Sequence, residues 1–306
     1  MYSFAMAELV QTCPLCGGQT GNAPLLDQRS LHGFLVTNRL CSNCGLVFQS
    51  PHMTDAELDS FYEEEYRQLY QGSAGPNPKD LAVQAGRAQA LVDFTKAAIS
   101  DVNQHLDIGC SAGLLLQYFQ QAYSCQSIGI EPGNAYREYA QVQGLTVFSS
   151  LSDLAANQSG RYDLISLAHV LEHLSNPVEY LTRLRQDWLA PDGWLLVEAP
   201  NLYGHDCFEV AHLISFSPHT LKQVLQQAGF QIQTETIHGR PRSDLIPLYV
   251  TILAKGTPDI SVVPHRGGWV QPKIEPENGV RRKRQIAMLR RRIVTRFSPR
   301  KAWLPV

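Results

Sequence analysis

Four cysteines near the N-terminus carry chemistry in their spacing. Cys13-Pro-Leu-Cys16 and Cys41-Ser-Asn-Cys44 are two CxxC pairs with 24 residues between them, and Gly17 and Gly45 each follow the second cysteine of a pair. A CxxC folds as a tight knuckle that turns two sulfurs toward one ion, and a following glycine permits the backbone conformation that such a knuckle needs. Four thiolates suit tetrahedral zinc and leave no open coordination position. The expectation is therefore a structural Zn2+ held by Cys13, Cys16, Cys41 and Cys44. The alternatives are a redox dithiol or unmetallated buried thiols, but a thioredoxin-like CxxC is single and sits at a βαβ unit. Cys110, Cys125 and Cys207 lie in apolar or loop contexts and read as packing residues. Seven cysteines with four in CxxC pairs suggest thiolate chemistry in a reducing compartment, not a disulfide framework.

A second constellation is Leu106-Asp107-Ile108-Gly109-Cys110-Ser111-Ala112-Gly113. Gly109 lets the chain turn sharply from a strand, Gly113 permits close approach to the following helix, and the helix start offers unpaired N–H groups to an anion. The spacing is not GxGxxG, which disfavours a nicotinamide cofactor. Asp107 precedes the glycines, where a carboxylate repels a pyrophosphate but can hold an ammonium group. Glu131 ends the next strand in Gly129-Ile-Glu-Pro132, where a carboxylate can accept both hydroxyls of a ribose. An adenosine ribose, a cationic amine and a small anion without phosphate describe S-adenosylmethionine. Taken alone, the glycine turn can equally be a helix-packing turn. The expected contacts are Asp107, Gly109, Cys110, Gly113, Glu131, Pro132, Ala168 and His169.

Candidate bases are His169, His173, His205 and His212, with Glu172 as an orienting or metal-binding neighbour. His169 and His173 share a face if their turn is helical, and the alternative is that both are hydrogen-bonded loop residues. Tyr203, His205, Asp206 and His212 fall in an insertion of the kind that often forms a substrate wall. Tyr62 and Tyr66 read as core or interface aromatics, or as parts of a lid helix.

The elements that must position these residues alternate. Val47–Gln49 reads as a strand, Asp55 to Tyr70 as a helix and Gly72 to Pro78 as a linker, followed by a helical pattern from Lys79 to Ile99. Strands are expected at Gln104–Ile108, Ser127–Ile130, Thr146–Phe148, Tyr162–Ala168 and Trp194–Glu198. The helices between them are expected at Ala112–Gln121, Asn134–Gln143, Ser152–Ala156 and Pro177–Trp188. A helix at Pro218–Ala228 and strands at Gln231–Ile237 and Leu248–Ala254 close the pattern. Such alternation predicts an α/β fold with a parallel sheet covered on both faces. The short loop between the last two strands predicts one antiparallel member.

At this point the sequence resembles a class I S-adenosylmethionine-dependent methyltransferase from about Lys79 to Lys255. The resemblance rests on LDIGCSAG, on GIEP, on Tyr162-Asp163-Leu164-Ile165 and on His169-Val-Leu-Glu172-His173-Leu. It rests also on Leu189-Ala-Pro-Asp-Gly193 before a strand and on Phe216-Ser-Pro-His-Thr-Leu221 leading to Ala228-Gly229-Phe230. The leader CPLCGG, then CSNCGLVFQSP, then a Tyr-containing helix is similar to the zinc-ribbon leader of methyltransferases in sugar and polysaccharide pathways. The resemblance implies a seven-stranded Rossmann-like sheet ordered 3-2-1-4-5-7-6 with the seventh strand antiparallel. It also implies methyl transfer to a small, sugar-like or nucleotide-linked acceptor. Ser111 departs from the pattern, standing where many members have a middle glycine. The expected organisation is a zinc module over 1–53, a helical connector over 54–78, the methyltransferase domain over 79–256 and a tail over 257–306.

Composition frames the rest. The 306 residues are 44% apolar and 18% charged, which excludes collagen-like, low-complexity and wholly disordered chains. From Arg281 to Val306 there are ten Lys/Arg and no Asp/Glu, whereas the first 280 residues carry 16 basic and 28 acidic groups. In the tail Ile286, Leu289, Ile293 and Phe297 recur at helical spacing among the basic residues, so this segment reads as a solvated tail or as a basic amphipathic helix. Such a helix can contact an anionic membrane, a phosphate backbone or the acidic body of the chain. No basic n-region opens the sequence and no run approaches a bilayer span of roughly 18 residues, so a cytoplasmic location is expected. The strand before His169 lacks an Asn/Asp-Pro-Pro-aromatic motif and no Pro-Cys nucleophile is evident, which weighs against nucleic acid. An RNA methyltransferase and a non-catalytic adaptor remain the rival readings.

Overall fold

The computed structural model describes residues 8–64, 75–257 and 275–305. The cysteine-bearing segment builds a small antiparallel sheet from β1 (Leu25–Leu31), β2 (Phe34–Leu40) and β3 (Val47–Gln49). Leu15, Val36, Leu40, Leu46 and Phe48 are buried between this sheet and the cysteine knuckles. The hairpin β1–β2 lies between the two cysteine pairs and joins their knuckles. The helix α1 (Asp55–Glu64) starts at a reciprocal cap. Thr54 N–H donates to Glu57 Oε2 (2.8 Å), and Glu57 N–H donates to Thr54 Oγ1 (3.2 Å). Phe61 on α1 packs edge-on against Phe34 of β2, with ring centroids 6.3 Å apart, fastening the helix to the module. Tyr66 and Leu69 lie outside the described residues.

A long helix, α2 (Pro78–Lys96), opens the larger unit. Pro78 occupies its first turn and the Asn77 side chain accepts from Asp80 N–H. Strands and helices then alternate: β4 (Gln104–Ile108), α3 (Leu114–Tyr123), β5 (Gln126–Ile130), α4 (Asn134–Val142), β6 (Thr146–Phe148), α5 (Leu151–Asn157) and β7 (Tyr162–Ala168). A single turn at Leu171–His173 precedes α6 (Pro177–Arg183), and a wider turn at Leu184–Trp188 replaces the last part of the predicted helix. β8 (Leu189–Pro200), β9 (Ile214–Ser215), α7 (Pro218–Gln227), β10 (Phe230–His238) and β11 (Tyr249–Gly256) complete the unit.

The seven-stranded sheet runs β10-β11-β8-β7-β4-β5-β6. The strands from β4 to β8 are parallel, and β11 is antiparallel to both its neighbours. Numbered within the sheet, this is the expected 3-2-1-4-5-7-6 order. β9 joins the other sheet: Val47 pairs with Ser215 and Phe48 with Ile214, so the insertion after β8 completes the cysteine module.

The basic segment forms a 21-residue helix, α8 (Glu277–Phe297), followed by the short α9 (Pro299–Ala302). Its inward face is fixed to the body. Val280 is buried, Arg281 donates to the Leu25 carbonyl, and Arg284 donates to the carbonyls of Leu202 (2.5 Å) and His205 (3.0 Å). Arg291 donates to the Gly204 carbonyl and pairs with Asp206 at 3.1 Å. No helix among the described residues is long and apolar enough to cross a membrane.

Candidate active site

The parallel strands deliver their carboxyl ends to a cavity of about 880 Å³, the position expected for ligands of an open α/β sheet. One end lies at the glycine turn. Gly109 has φ +74°, and a Cβ there would meet Val170 Cγ2 at 2.7 Å; Gly113 has φ +81°, with Leu145 Cδ1 only 2.3 Å from where a Cβ would stand. Ser111 adopts φ +52°, a conformation that costs a non-glycine residue roughly 1–2 kcal/mol. Its backbone N–H is held by Glu131 Oε2 at 2.9 Å, and Glu131 Oε1 takes Gly133 N–H at 2.9 Å. The carboxylate at the end of β5 thus fixes the turn after β4 and also lines the cavity.

The expected cofactor contacts separate here. Gly109, Glu131, Pro132, Ala168 and His169 line the cavity, whereas Asp107, Cys110 and Gly113 do not. Asp107 is buried beneath the turn, where its Oδ1 accepts the Ser166 hydroxyl at 2.6 Å. Ser166 in turn takes His105 Nε2–H at 2.8 Å, and His105 Nδ1 accepts from the Ser127 hydroxyl at 3.1 Å. This directed chain requires a neutral imidazole, and burial pushes His105 down to about 3. Burial pushes Asp107 up to about 7, against the Ser166 hydrogen bond and with the nearby Glu131 charge adding to it. Cys110 packs with Leu116, Ala140, Leu145 and Val147.

The other end is a cluster of imidazoles and carboxylates. His169 directly follows β7 with φ +60°, a strained backbone of the kind that persists only where surroundings over-determine it. Its N–H donates to the Glu198 carbonyl (2.9 Å), its Nε2 lies 3.1 Å from Glu198 Oε1, and its Nδ1 lies 3.3 Å from Glu172 Oε1. Burial and Arg87 pull its pKa down, but the two carboxylates outweigh them and hold it above the ordinary histidine value. Glu198 is a hub: Arg87 Nε at 2.9 Å, His238 Nε2 at 3.2 Å and the Thr251 hydroxyl at 3.0 Å all reach it. These partners hold its pKa below the usual carboxylate range despite complete burial. Glu198 and Arg87 were assigned no role from sequence. The available signal was a lone glutamate inside the apolar strand Trp194-Leu-Leu-Val-Glu198-Ala.

Glu172 is 1% exposed, and neither carboxylate oxygen accepts an aligned hydrogen bond. Burial raises its pKa, but His169 and the neighbouring histidines bring it to about 2. His173 donates Nδ1–H to the Ala211 carbonyl (3.0 Å), which places the lone pair of the neutral ring on Nε2. His212 comes from the insertion and meets His173 with ring centroids 4.9 Å apart. Burial lowers both imidazoles to about 4. Glu172, His173 and His212 each bring one donor atom within 4.8 Å of the others, a carboxylate–imidazole set that fits a divalent cation. No partner for such a role is visible near His173 in the sequence, because His212 is 39 residues away. The insertion divides in two. His205 and His212 line the cavity, whereas Tyr203 donates to Glu275 (3.0 Å) and Asp206 pairs with Arg291.

The four N-terminal cysteines also converge. Cys13 and Cys44 sulfurs lie 3.6 Å apart, as do those of Cys16 and Cys41, and all four fall within 4.8 Å of one another. A tetrahedral ion with sulfur at 2.3 Å sets edges of about 3.8 Å, so the quartet fits a single four-coordinate metal.

The sequence pattern of the methyltransferase domain family matches residues 82–235, half of the chain. The chain belongs to the methyltransferase domain family. It is similar to (S)-coclaurine N-methyltransferase of Thalictrum flavum subsp. glaucum, 31% identical over 115 residues, covering 34% of this chain and 30% of that one. It is also similar to the ubiquinone biosynthesis O-methyltransferase of Leptothrix cholodnii, 27% identical over 104 residues, covering 31% of this chain and 43% of that one. The chain therefore spans less than half the length of these curated relatives. Its fold matches that of the Burkholderia thailandensis 1,6-didemethyltoxoflavin-N1-methyltransferase, solved with S-adenosylhomocysteine bound. The TM-score is 0.53 at 15% identity, covering 76% of this chain and 100% of that one.

Asp107 gives this methyltransferase-fold chain a distinctive pH response. Its folded pKa lies above its unfolded value of about 3.9, so native stability falls as pH rises from about 4 to about 7 and is level beyond. In thermal unfolding without ligand, Asp107→Asn is expected to match the parent near pH 4. Above pH 7 it should exceed the parent by on the order of 4 kcal/mol. A difference that does not change with pH would assign the carboxylate a charged resting state.

Proposed function

We propose that this chain transfers the methyl group of S-adenosylmethionine to a hydroxyl-bearing small molecule of the sugar type, with a nucleotide-linked sugar as the leading class. The observation that most supports this reading is the continuity of one cavity from Glu131 to the Glu172–His173–His212 cluster. The first end offers a carboxylate to ribose hydroxyls. The second offers neutral imidazoles to an acceptor. The cofactor supplies the electrophilic methyl group, and the chain must align the acceptor and receive its proton. His173 or His212 is suited to take that proton because each is held neutral. His169, its two ring nitrogens facing Glu172 and Glu198, is a positioning residue in this scheme. Were a divalent cation bound instead, Glu172, His173 and His212 would hold it and it would supply Lewis-acid activation of the acceptor oxygen in place of that imidazole base. Arg242 also lines the cavity and has no ion-pair partner among the described residues. Its guanidinium suits an anionic substituent such as a sugar-linked phosphate. The curated relatives named above are N- and O-methyltransferases, which is consistent with a small-molecule acceptor.

Mass spectrometry of hydroxylated and nucleotide-linked metabolites incubated with protein and methyl-labelled cofactor tests this reading. Label is expected on a sugar-type compound. Glu131→Ala should weaken cofactor affinity about tenfold or more by calorimetry. Glu172→Gln should lower kcat by about a hundredfold with cofactor affinity retained, and Arg242→Ala should raise the acceptor KM with kcat little changed. Label in an RNase-sensitive product, or cofactor binding without turnover on any metabolite, defeats the proposal.

We infer further that the cysteine quartet holds a structural zinc ion. Elemental analysis should find one zinc per chain, lost in Cys13→Ser with Cys44→Ser. Because β9 is paired to β3, removal should lower Tm by about 5 °C or more and reduce acceptor turnover more than cofactor affinity. A zinc-free protein with unchanged Tm would contradict this assignment.

A further inference from the structure

The orientation of α8 is opposite to what its composition suggests. Its inward face is held by cations on backbone carbonyls, through Arg281, Arg284 and Arg291. Its apolar stripe faces outward: Ile286 is 57% exposed, Leu289 60%, Ile293 49% and Phe297 75%. These positions are spaced by three, four and four residues and so form one continuous line on the helix. Arg282, Arg290, Arg292, Arg296 and Arg300 are exposed beside it, and none forms an ion pair with another described residue. No acidic residue occurs from Arg281 onward. Next to the stripe is a groove of about 350 Å³ between α8 and β1, lined by Leu26, Arg281, Arg284, Met288, Leu289 and Arg292. Its floor is apolar, and at its rim the Arg292 guanidinium has no ion-pair partner among the described residues, which matches a group with an anionic head and an apolar body.

We propose that this face of α8 is a docking surface for an anionic phospholipid membrane. A phosphate backbone of nucleic acid would use the arginines but gain nothing from one exposed phenylalanine and three branched aliphatic residues. A second copy packed on the same stripe would set arginines against arginines with no carboxylate between them. An anionic bilayer takes both components: headgroups neutralise the guanidinium groups while the apolar line enters the headgroup–acyl boundary. The helix is a fixture of the body, not a tether. Val294 packs with Ile246, Leu248 and Tyr249, and Leu304 N–H donates to the Arg242 carbonyl (2.9 Å). Docking on this face would therefore hold the acceptor end of the cavity at a set distance from the membrane.

The test is sedimentation of the full chain with vesicles of phosphatidylcholine alone and of phosphatidylcholine mixed with phosphatidylglycerol. Binding is expected only to the mixed vesicles, weakening as salt rises. Leu289→Asp with Ile293→Asp should reduce binding about tenfold or more while leaving Tm and cofactor affinity unchanged. Arg290→Glu with Arg296→Glu should reduce it similarly. Absence of sedimentation with the mixed vesicles overturns the proposal. So does binding that survives both pairs of substitutions, or binding that RNA competes away while the Leu289 and Ile293 substitutions have no effect.

Discussion

The pairing of β3 with β9, through Val47–Ser215 and Phe48–Ile214 and extended by Gln49 N–H on the Leu213 carbonyl (2.8 Å), constrains the His212 end of the cavity. Residues 201–213 have no regular strand or helix of their own. They carry His205 and His212 into the cavity only because they are held from two sides. The cysteine module holds the end nearest His212, and Arg284 and Arg291 of α8 hold the carbonyls of Leu202, Gly204 and His205. A backbone with so many carbonyls turned outward would otherwise need water to satisfy them. Guanidinium groups, each with several fixed donors, do so directly and leave the loop in one arrangement.

Within the cavity the charges balance in pairs. Glu172 and Glu198 are buried carboxylates held below their ordinary pKa; beside them lie the Arg87 guanidinium and the His169 ring, whose pKa is raised. Burying a carboxylate is costly unless it is paired and hydrogen-bonded. Glu198 meets this condition, with Arg87, His169 and His238 in ion-pair range and hydrogen bonds from His169 and the Thr251 hydroxyl, which explains why β8 tolerates it amid apolar neighbours. Glu172 meets it only through His169, and its oxygens retain accepting capacity toward His173 and His212. The left-handed backbone at His169 follows from the same arrangement. Its main-chain N–H and both ring nitrogens are committed to Glu198 and Glu172, and those contacts offset the conformational cost. The Glu198–Arg87 pair thus braces His169, and through it Glu172.

The sheet was legible because its signals are local. Alternating strands and helices, the glycine turn and Glu131 each declare themselves in a short stretch of sequence, whereas the strand order came with the family resemblance and not from those signals. The hairpin of β1 and β2 was not legible. Its first strand alternates only weakly between half-buried and exposed residues, since a small module has little interior to bury. The Glu198 hub was hidden for another reason: residues 87, 169, 198, 238 and 251 meet only through the topology. His212 reached His173 through a two-residue strand that no periodicity could mark. Asp107 was correctly placed at the end of its strand, but its side-chain direction, under the turn and toward Ser166, depends on which face of β4 is covered.

The tail shows where a periodic pattern misleads. Apolar residues at helical spacing ordinarily mark the face that packs, and α8 packs by the opposite one. The reason lies in what it packs against. The surface formed by residues 202–206 presents carbonyl oxygens and the Asp206 carboxylate, with Phe208 beneath Arg284 at 4.5 Å. Aliphatic side chains against that surface would strand the carbonyls, whereas arginine satisfies them and lays its own planar group over the ring. Once the polar face is committed inward, the helical period forces Ile286, Leu289, Ile293 and Phe297 outward. The exposed stripe is therefore a consequence of how the segment after β8 is held, so the outer surface of α8 and the inner geometry of the cavity are two faces of one structural solution.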